Sequence, residues 1–265
     1  MHPYLFEIGN FRMPTYGLFV ALGYISGAFY FISKRRLADL SKEKAYDTLF
    51  WVILSAIIGG KILYILTFWN EFGTTFPERL LESLRSIRYG FVFYGGLITS
   101  ATALFFFCKR NGIDFLKTTD ILSPSLALGH AIGRLGCFCA GCCHGRPTDS
   151  FLGIVFSNPE SLVKPQFLNI PIHPTQLYSS FSNFAIFFLL NMLLMLQFRR
   201  DLKAGIVTAS YGILYSLSRF ITEFFRGDER GFSILGLSQG QIISVAVFLF
   251  SAYFFGKSIK WKMKK

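Results

Sequence analysis

The stretch "GRLGCFCAGCCHG", Gly133 to Gly145, places one arginine and then four cysteines at the end of a long apolar run. A cation and a cluster of thiols at that point suit either a metal or redox site or the mouth of a membrane enzyme. The surrounding sequence discriminates between them. The chain has 265 residues, 52% of them hydrophobic, with 32 Phe and a mean hydropathy of +0.45. That is too apolar for a soluble domain, and the apolar residues fall in blocks of about 20, the length that crosses a hydrocarbon core as a helix.

Working outward from this stretch, seven spans are expected, at roughly 14–33, 47–69, 91–108, 119–139, 174–198, 205–225 and 241–256. The fold class is therefore an all-α membrane protein, a single integral membrane domain over 1–265. The first residues, "MHPYLFEIGNFRMP", lack the basic start, short apolar stretch and small-residue cleavage site of a signal peptide, so the first span is expected to be retained. Four basic clusters separate the spans: Lys34, Arg35, Arg36, Lys42 and Lys44; Lys109, Arg110 and Lys117; Arg199, Arg200 and Lys203; Lys257, Lys260, Lys262, Lys264 and Lys265. They hold 16 of the 27 Lys and Arg, and all fall on one side if the spans alternate. Positive charge marks the cytoplasmic side, so the N-terminus is expected outside and the C-terminus inside. Topology accounts for most of the net +12, and nucleic acid is not expected as a partner.

On the outer side, residues 77–90 place Leu80, Leu81, Leu84 and Ile87 on one face, the pattern of a helix lying in the membrane interface. Residues 140–172 are punctuated by Gly, Pro, Asn and Ser and include a short strand candidate, "FLGIVF"; they are expected to form a small outer cap. Gly23 with Gly27, and Gly129 with Gly133, have the spacing that lets helix backbones approach closely, and packing is their expected role.

With this orientation, Lys61, His130, Arg134, Arg219 and Glu223 all lie in the outer half of outward-running helices. Tyr16, Tyr94, His173 and Gln176 lie near the outer ends of inward-running ones. The inner half is expected to be apolar, which argues against an anion transporter. A charge at a helix centre costs about 2.5–3.5 kcal/mol on insertion scales, so the cations need an offset. Glu223 lies at i+4 from Arg219 and can pair with it. Lys61, Arg134, Arg219 and Glu223 still leave a net +2, a site that favours an anion. Arginine suits phosphate because its planar fork donates two parallel hydrogen bonds, and a phosphate reached from within a bilayer is a lipid headgroup.

Seven motifs, in order along nearly the whole chain, carry a resemblance: "YGL" at 16–18, "GGKILY" at 59–64, "GGL" at 95–97, the 133–145 block, "HPTQLY" at 173–178, "RFITEFFR" at 219–226 and "SQGQIIS" at 238–244. Together they resemble the prolipoprotein diacylglyceryl transferases. The resemblance implies a seven-helix enzyme of the bacterial inner membrane with its active site toward the outer leaflet. Such an enzyme moves the diacylglyceryl group of phosphatidylglycerol onto the lipobox cysteine of a prolipoprotein, forms a thioether and releases glycerol phosphate, without a cofactor. The partners implied are phosphatidylglycerol, prolipoprotein signal peptides and membrane lipids.

By position, Arg134 matches the family arginine that holds the phospholipid, and Arg219 matches a second essential arginine. Glu223 and Arg226 continue that motif, Tyr16 matches a functional tyrosine, and Gly145 closes the signature block. Arg134, Arg219, Tyr94 and His130 are the catalytic candidates. Arg134, Arg219, Glu223, Arg226, Tyr16, Lys61, Gly95, Gly96, His173 and Gln176 are the substrate-binding candidates. The chain departs from the family at Tyr94, where histidine is common before the paired glycines. It departs also at Cys137 and Ala140, where asparagine is frequent, and at Ser179, where glutamate is common. A divergent paralogue that binds phospholipid or lipoprotein is the alternative those departures raise.

Cys137, Cys139, Cys142, Cys143 and His144 are soft enough for zinc. Structural zinc sites, however, pair ligands as C-x2-4-C with a second pair some distance away, whereas these fall within eight residues. Cys139 and Cys142 form a CxxC without a thioredoxin-like βαβ context. Variation within a tight, small-residue loop is therefore expected, and no metal.

Overall fold

The computed structural model describes residues 2–9, 11–86, 90–228, 233–234 and 236–260. Among these residues eight α-helices dominate: α1 (Thr15–Lys34), α2 (Lys42–Thr67), α3 (Phe76–Arg85), α4 (Phe93–Asn111), α5 (Phe115–Ala140), α6 (Thr175–Arg200), α7 (Ile206–Glu223) and α8 (Gln239–Lys260). The six strands are short: β1 (Tyr4–Ile8), β2 (Phe11–Pro14), β3 (Ile154–Val155), β4 (Pro171–Ile172), β5 (Ser233–Ile234) and β6 (Leu237–Ser238). Every expected span coincides with a helix. Four of them, over Thr15–Ala38, Lys42–Thr67, Thr175–Arg200 and Gln239–Ser258, are long and apolar enough to cross a membrane. Helices α5 and α7 carry polar residues of the motifs, His130, Arg134, Arg219 and Glu223, and α4 ends in Lys109 and Arg110, which dilutes the hydropathy of all three. Large apolar side chains stand exposed along the helices, Phe29 at 76% and Phe181 at 70% among them, as in a surface meant for lipid.

The chain forms two compact units, Arg35–Thr118 and Met1–Lys34 with Thr119–Lys265. In the first, α2 packs on α4 with backbones nearly in contact. A Cβ on Gly95 would sit 2.6 Å from the Cβ of Leu63, and one on Gly96 would sit 2.8 Å from the carbonyl oxygen of Ala56. Thr99 seals the crossing by donating from Oγ1 to the Ser55 carbonyl at 2.7 Å. Helix α3 starts on a capping box between Thr75 and Glu78 and exposes Leu80, Leu81 and Leu84. Ile87, expected on the same face, lies outside the described residues, as do Lys262, Lys264 and Lys265 of the last basic cluster.

In the second unit, α1 and α5 cross at small residues. A Cβ on Gly23 would lie 2.6 Å from the carbonyl oxygen of Gly129, and one on Gly27 would lie 2.9 Å from that of Ser125. The α5 half of the contact is therefore Ser125 with Gly129. Gly133, expected there, faces open space one turn too far along the helix. Helix α6 joins α5 through Ser180 Oγ, which donates to the Ala131 carbonyl at 2.8 Å, and joins α1 through Tyr30 Oη and Asn191 Oδ1, also at 2.8 Å.

The start of α5 carries a buried acid that was no candidate in the sequence. Asp120, 1% exposed, accepts from Gln197 Nε2 (2.7 Å), Gly205 N (2.6 Å), Thr208 N (2.8 Å) and Thr208 Oγ1 (2.9 Å). It thus caps the N-terminus of α7 from a neighbouring helix, where the first N–H groups have no partner inside their own helix.

Residues 140–172 fold around Phe156, Val163 and Ile172, with Phe138, Ile154, Phe167 and Leu168 packed against them. The strand candidate supplies β3, paired antiparallel with β4. The hairpin of β1 and β2 was not expected, although Gly9 with Asn10 between two β-prone runs is a turn signal.

Candidate active site

Three of the motifs meet at Gly145. Its N–H donates to the His173 carbonyl at 3.0 Å, the Arg146 N–H donates to the Phe225 carbonyl at 2.9 Å, and Gly145 bridges antiparallel to Arg226. A Cβ on Gly145 would stand 2.8 Å from the Phe225 carbonyl oxygen and run into that of His173, so only glycine lets the three segments close. The first turn of α6 completes the junction. Gln176 Nε2 donates to the Cys142 carbonyl (2.8 Å) and Thr175 Oγ1 donates to the Cys143 carbonyl (2.7 Å).

Around this junction the charges are arranged unequally. Arg226, whose side chain is 4% exposed, binds Asp228 through both ends of its fork at 2.8 and 2.6 Å, with Glu223 at 3.8 Å. Burial works against its charge, but Asp228 and Glu223 outweigh that and hold its pKa above the ordinary value. Arg219 Nη2 pairs with Glu223 Oε2 at 2.7 Å, and Ser238 Oγ donates to Glu223 Oε1 at 3.1 Å. Arg219 Nη1 is buried without a hydrogen-bond partner among the described residues. Arg134 Nε donates to His130 Nε2 at 3.0 Å, a neutral acceptor rather than an anion, so His130 is held as the tautomer with Nε2 bare. Arg134 and Arg219 lie within electrostatic range of each other and of His130. With Glu223 and Asp228 each matched to a guanidinium, one positive charge in this group has no carboxylate among the described residues.

Two more buried polar atoms lack partners among the described residues, Gln176 Oε1 and Asn183 Oδ1, both on α6. Buried polar atoms in folded proteins are nearly all hydrogen-bonded, so each orphan calls for an explanation, and a polar ligand is one. Between α6 and α7 runs a groove of about 600 Å³, walled by Leu189, Leu214, Leu217, Ile221 and Phe225 and including His173 and Tyr178. The guanidiniums of Arg134 and Arg219 do not line it; it is a mostly apolar space on another face of α7.

The structure thus brings Arg134, His130, Arg219, Glu223, Arg226, His173 and Gln176 into one unit around the junction. Tyr16, exposed at the start of α1, lies within electrostatic range of Arg134. His173 Nδ1 and Tyr178 Oη lie 3.1 Å apart, and the His173 ring packs on Phe225 at 5.1 Å. Lys61, Tyr94, Gly95 and Gly96 belong to the Arg35–Thr118 unit. There Lys61 Nζ donates to Ser86 at its carbonyl (2.6 Å) and its Oγ (2.8 Å), placing its charge at the C-terminal end of α3, where the helix dipole is negative. Gly95 and Gly96 are the close approach to α2 described above, and Tyr94 is 39% exposed with its ring against Phe93.

Asp228 was no candidate in the sequence, and Ser238 and Gly240 stood in a motif without a role in the site. Asp228 is an acidic residue two positions after a candidate arginine, a signal available in the sequence. A Cβ on Gly240 would stand 3.0 Å from both Arg219 Nη2 and Glu223 Oε1, which explains the glycine of "SQGQ".

Residues 3–256 match the family model described as prolipoprotein diacylglyceryl transferase. The chain is 35% identical over 255 residues to the phosphatidylglycerol–prolipoprotein diacylglyceryl transferase of Clostridium tetani, covering 96% of this chain and 97% of that protein. It is 34% identical over 243 residues to the transferase numbered 2 of Clostridium perfringens (92% and 90% covered), and 32% identical over 259 residues to that of Rickettsia typhi (96% and 95% covered). Motifs that lie far apart in sequence and close at Gly145, together with a match spanning nearly every residue, place the chain in the prolipoprotein diacylglyceryl transferase family.

Proposed function

We propose that this chain transfers the diacylglyceryl group of phosphatidylglycerol to the lipobox cysteine of prolipoproteins, the first step of lipoprotein maturation. It does so as a seven-span protein of the bacterial inner membrane, N-terminus outside and C-terminus cytoplasmic, with the site toward the outer leaflet. The observation that carries this reading is the buried Arg219, charge-paired on one side, without a partner for Nη1 among the described residues, and within electrostatic range of Arg134. Such a pair suits a phosphodiester. The names of the relatives point to the same substrates.

In the reaction, the thiol sulfur of the prolipoprotein attacks the glyceryl carbon that bears the phosphate ester. The carbon–oxygen bond breaks, and glycerol phosphate leaves with the bonding electrons. Charge grows on the phosphate oxygens as it does so, and fixed donors aimed at developing charge in a dry site are the strongest catalytic device available. Arg134 and Arg219 supply those donors. His130 holds Arg134 in place until the phosphodiester claims its Nε–H; the freed Nε2 lone pair then takes the thiol proton. Glu223 and Arg226 position Arg219, Tyr16 and Gln176 contact substrate, and His173 closes the junction beside the α6–α7 groove, which accepts apolar chain. Tyr94 remains a catalytic candidate and Lys61, Gly95 and Gly96 remain substrate-binding candidates, each open to its own substitution.

The test is complementation in a bacterium depleted of its own transferase, with radiolabelled phosphatidylglycerol. Label on the prolipoprotein cysteine is the expected result. No label, with the protein correctly inserted, would favour the divergent paralogue.

A further inference from the structure

Cys137 lies in the last turn of α5, and Cys142 and Cys143 lie in the turn that follows the helix; their three Sγ atoms all lie within 4.8 Å of one another. Cys139 is not part of this cluster, because two residues along a helix rotate a side chain to nearly the opposite face. In sequence, the four cysteines and the histidine lack the spacing of a zinc site. Geometry selects a different set, three thiols from two adjacent turns.

The turn that presents them is held from outside. Gln176 and Thr175, at the start of α6, donate to the carbonyls of Cys142 and Cys143. Gly141 (φ +82°) and Cys143 (φ +59°) adopt left-handed backbone, and a non-glycine residue is uncommon there. This backbone aims the Cys142 and Cys143 side chains back toward Cys137.

We propose that Cys137, Cys142 and Cys143 form a binding site for a thiophilic metal ion of the zinc or cadmium class. Metal–sulfur bonds of about 2.3 Å separate sulfurs around one ion by about 4 Å, so the three need to move by less than about 1 Å to bind. Binding releases three protons to solvent, and a divalent ion on three thiolates carries a net charge of −1. Arg134 lies one turn before Cys137 and within electrostatic range of it, so the guanidinium that faces a neutral histidine can offset that charge. Three protein sulfurs leave a fourth coordination position for water. The site does not depend on the transferase reading, since none of the three thiols has a part in that reaction.

The experiment is a cadmium titration of the purified full-length chain in detergent, reduced with a thiol-free reductant and followed by the ultraviolet sulfur-to-metal charge-transfer band. Saturation at one ion per chain is expected, reversed by chelator and competed by zinc. Cys137→Ser, Cys142→Ser and Cys143→Ser should each weaken binding by about tenfold or more, whereas Cys139→Ser and Cys108→Ser should leave it unchanged. Bound cadmium should also protect three thiols of the wild-type chain from alkylation, counted by intact mass, a readout that needs no variant to fold. Absence of the band, equal loss in Cys139→Ser, protection of fewer than three thiols, or a mass two protons light from a disulfide within the cluster would each overturn the site.

Discussion

The two ends of α5 hold charge in opposite ways. Near its start, Asp120 is buried and accepts from four donors on α6, α7 and the turn before α7, leaving nothing for a ligand to supply. Fourteen residues on, about 21 Å along the axis, Arg134 leans on a neutral histidine, and across from it Arg219 keeps a buried N–H that no described residue accepts. A buried donor left unmatched costs about 1–3 kcal/mol, so a fold retains one where something else gains by it. Satisfied charge marks architecture; unsatisfied charge marks a place prepared for a substrate.

The sharpest way to break this contrast is to remove a charge at each end. Arg134→Ala and Arg219→Ala are each expected to lower diacylglyceryl transfer by at least about 10²–10³-fold, the usual cost of losing a donor to a developing oxyanion. The lysine variants should recover part of that, since an ammonium lacks the guanidinium's fork. Measured as label transferred per folded molecule in phosphatidylglycerol vesicles, near-normal activity in either alanine variant would end the assignment.

Asp120→Ala should do the reverse. Four donors lose their acceptor and α7 loses its cap, for an expected loss of about 3 kcal/mol in stability. Thermal unfolding in detergent reads this directly, and transfer per folded molecule should stay near wild type. A variant as stable as the parent, or one dead while folded, would show that Asp120 does more than cap a helix.

How much of this was legible in the sequence depends on which physical signal each feature leaves. Helix positions were readable because a hydrocarbon solvent demands long apolar runs, a signal that survives one or two polar intruders. Arg134 and Arg219 stood out for the same reason, as cations where water is scarce. What the sequence lacks is direction around the helix axis and the partner across it. Lys61 looked like surplus charge, yet it serves the end of α3. Gly133 had the spacing for packing and faces open space, because the partner helix crosses one turn earlier at Ser125 and Gly129. Asp120 sits at the expected edge of a span, where an acid attracts no notice until its four donors are seen.

That misplacement yields a smaller comparison between two glycines of α5. Gly129→Ala would press a methyl to within 3.0 Å of the Gly23 carbonyl, and Gly23→Ala meets Gly129 closer still. Each is expected to cost about 1–3 kcal/mol by forcing α1 and α5 apart. Gly133→Ala adds a methyl to open space and should change stability by no more than about 0.5 kcal/mol. Equal thermal shifts for Gly129→Ala and Gly133→Ala would move the helix crossing.

A third manner of holding a titratable group lies at His173, just before α6, and it predicts the smallest effect. Burial, and then the charge of Arg146, hold its imidazole below the ordinary value. In the unfolded chain this ring takes a proton near pH 6.5, whereas in the folded chain it resists until lower pH. The unfolded state therefore binds more protons in that window, and stability rises with pH through it. His173's contribution is complete above about pH 6.5 and is lost as pH falls toward the folded value. His173→Asn keeps an acceptor for Tyr178 and removes the titration, so its thermal midpoint should fall less than wild type between pH 7 and pH 5. Parallel curves would mean that the ring protonates as easily folded as unfolded, and that the junction at Gly145 is wetter than its packing against Phe225 implies.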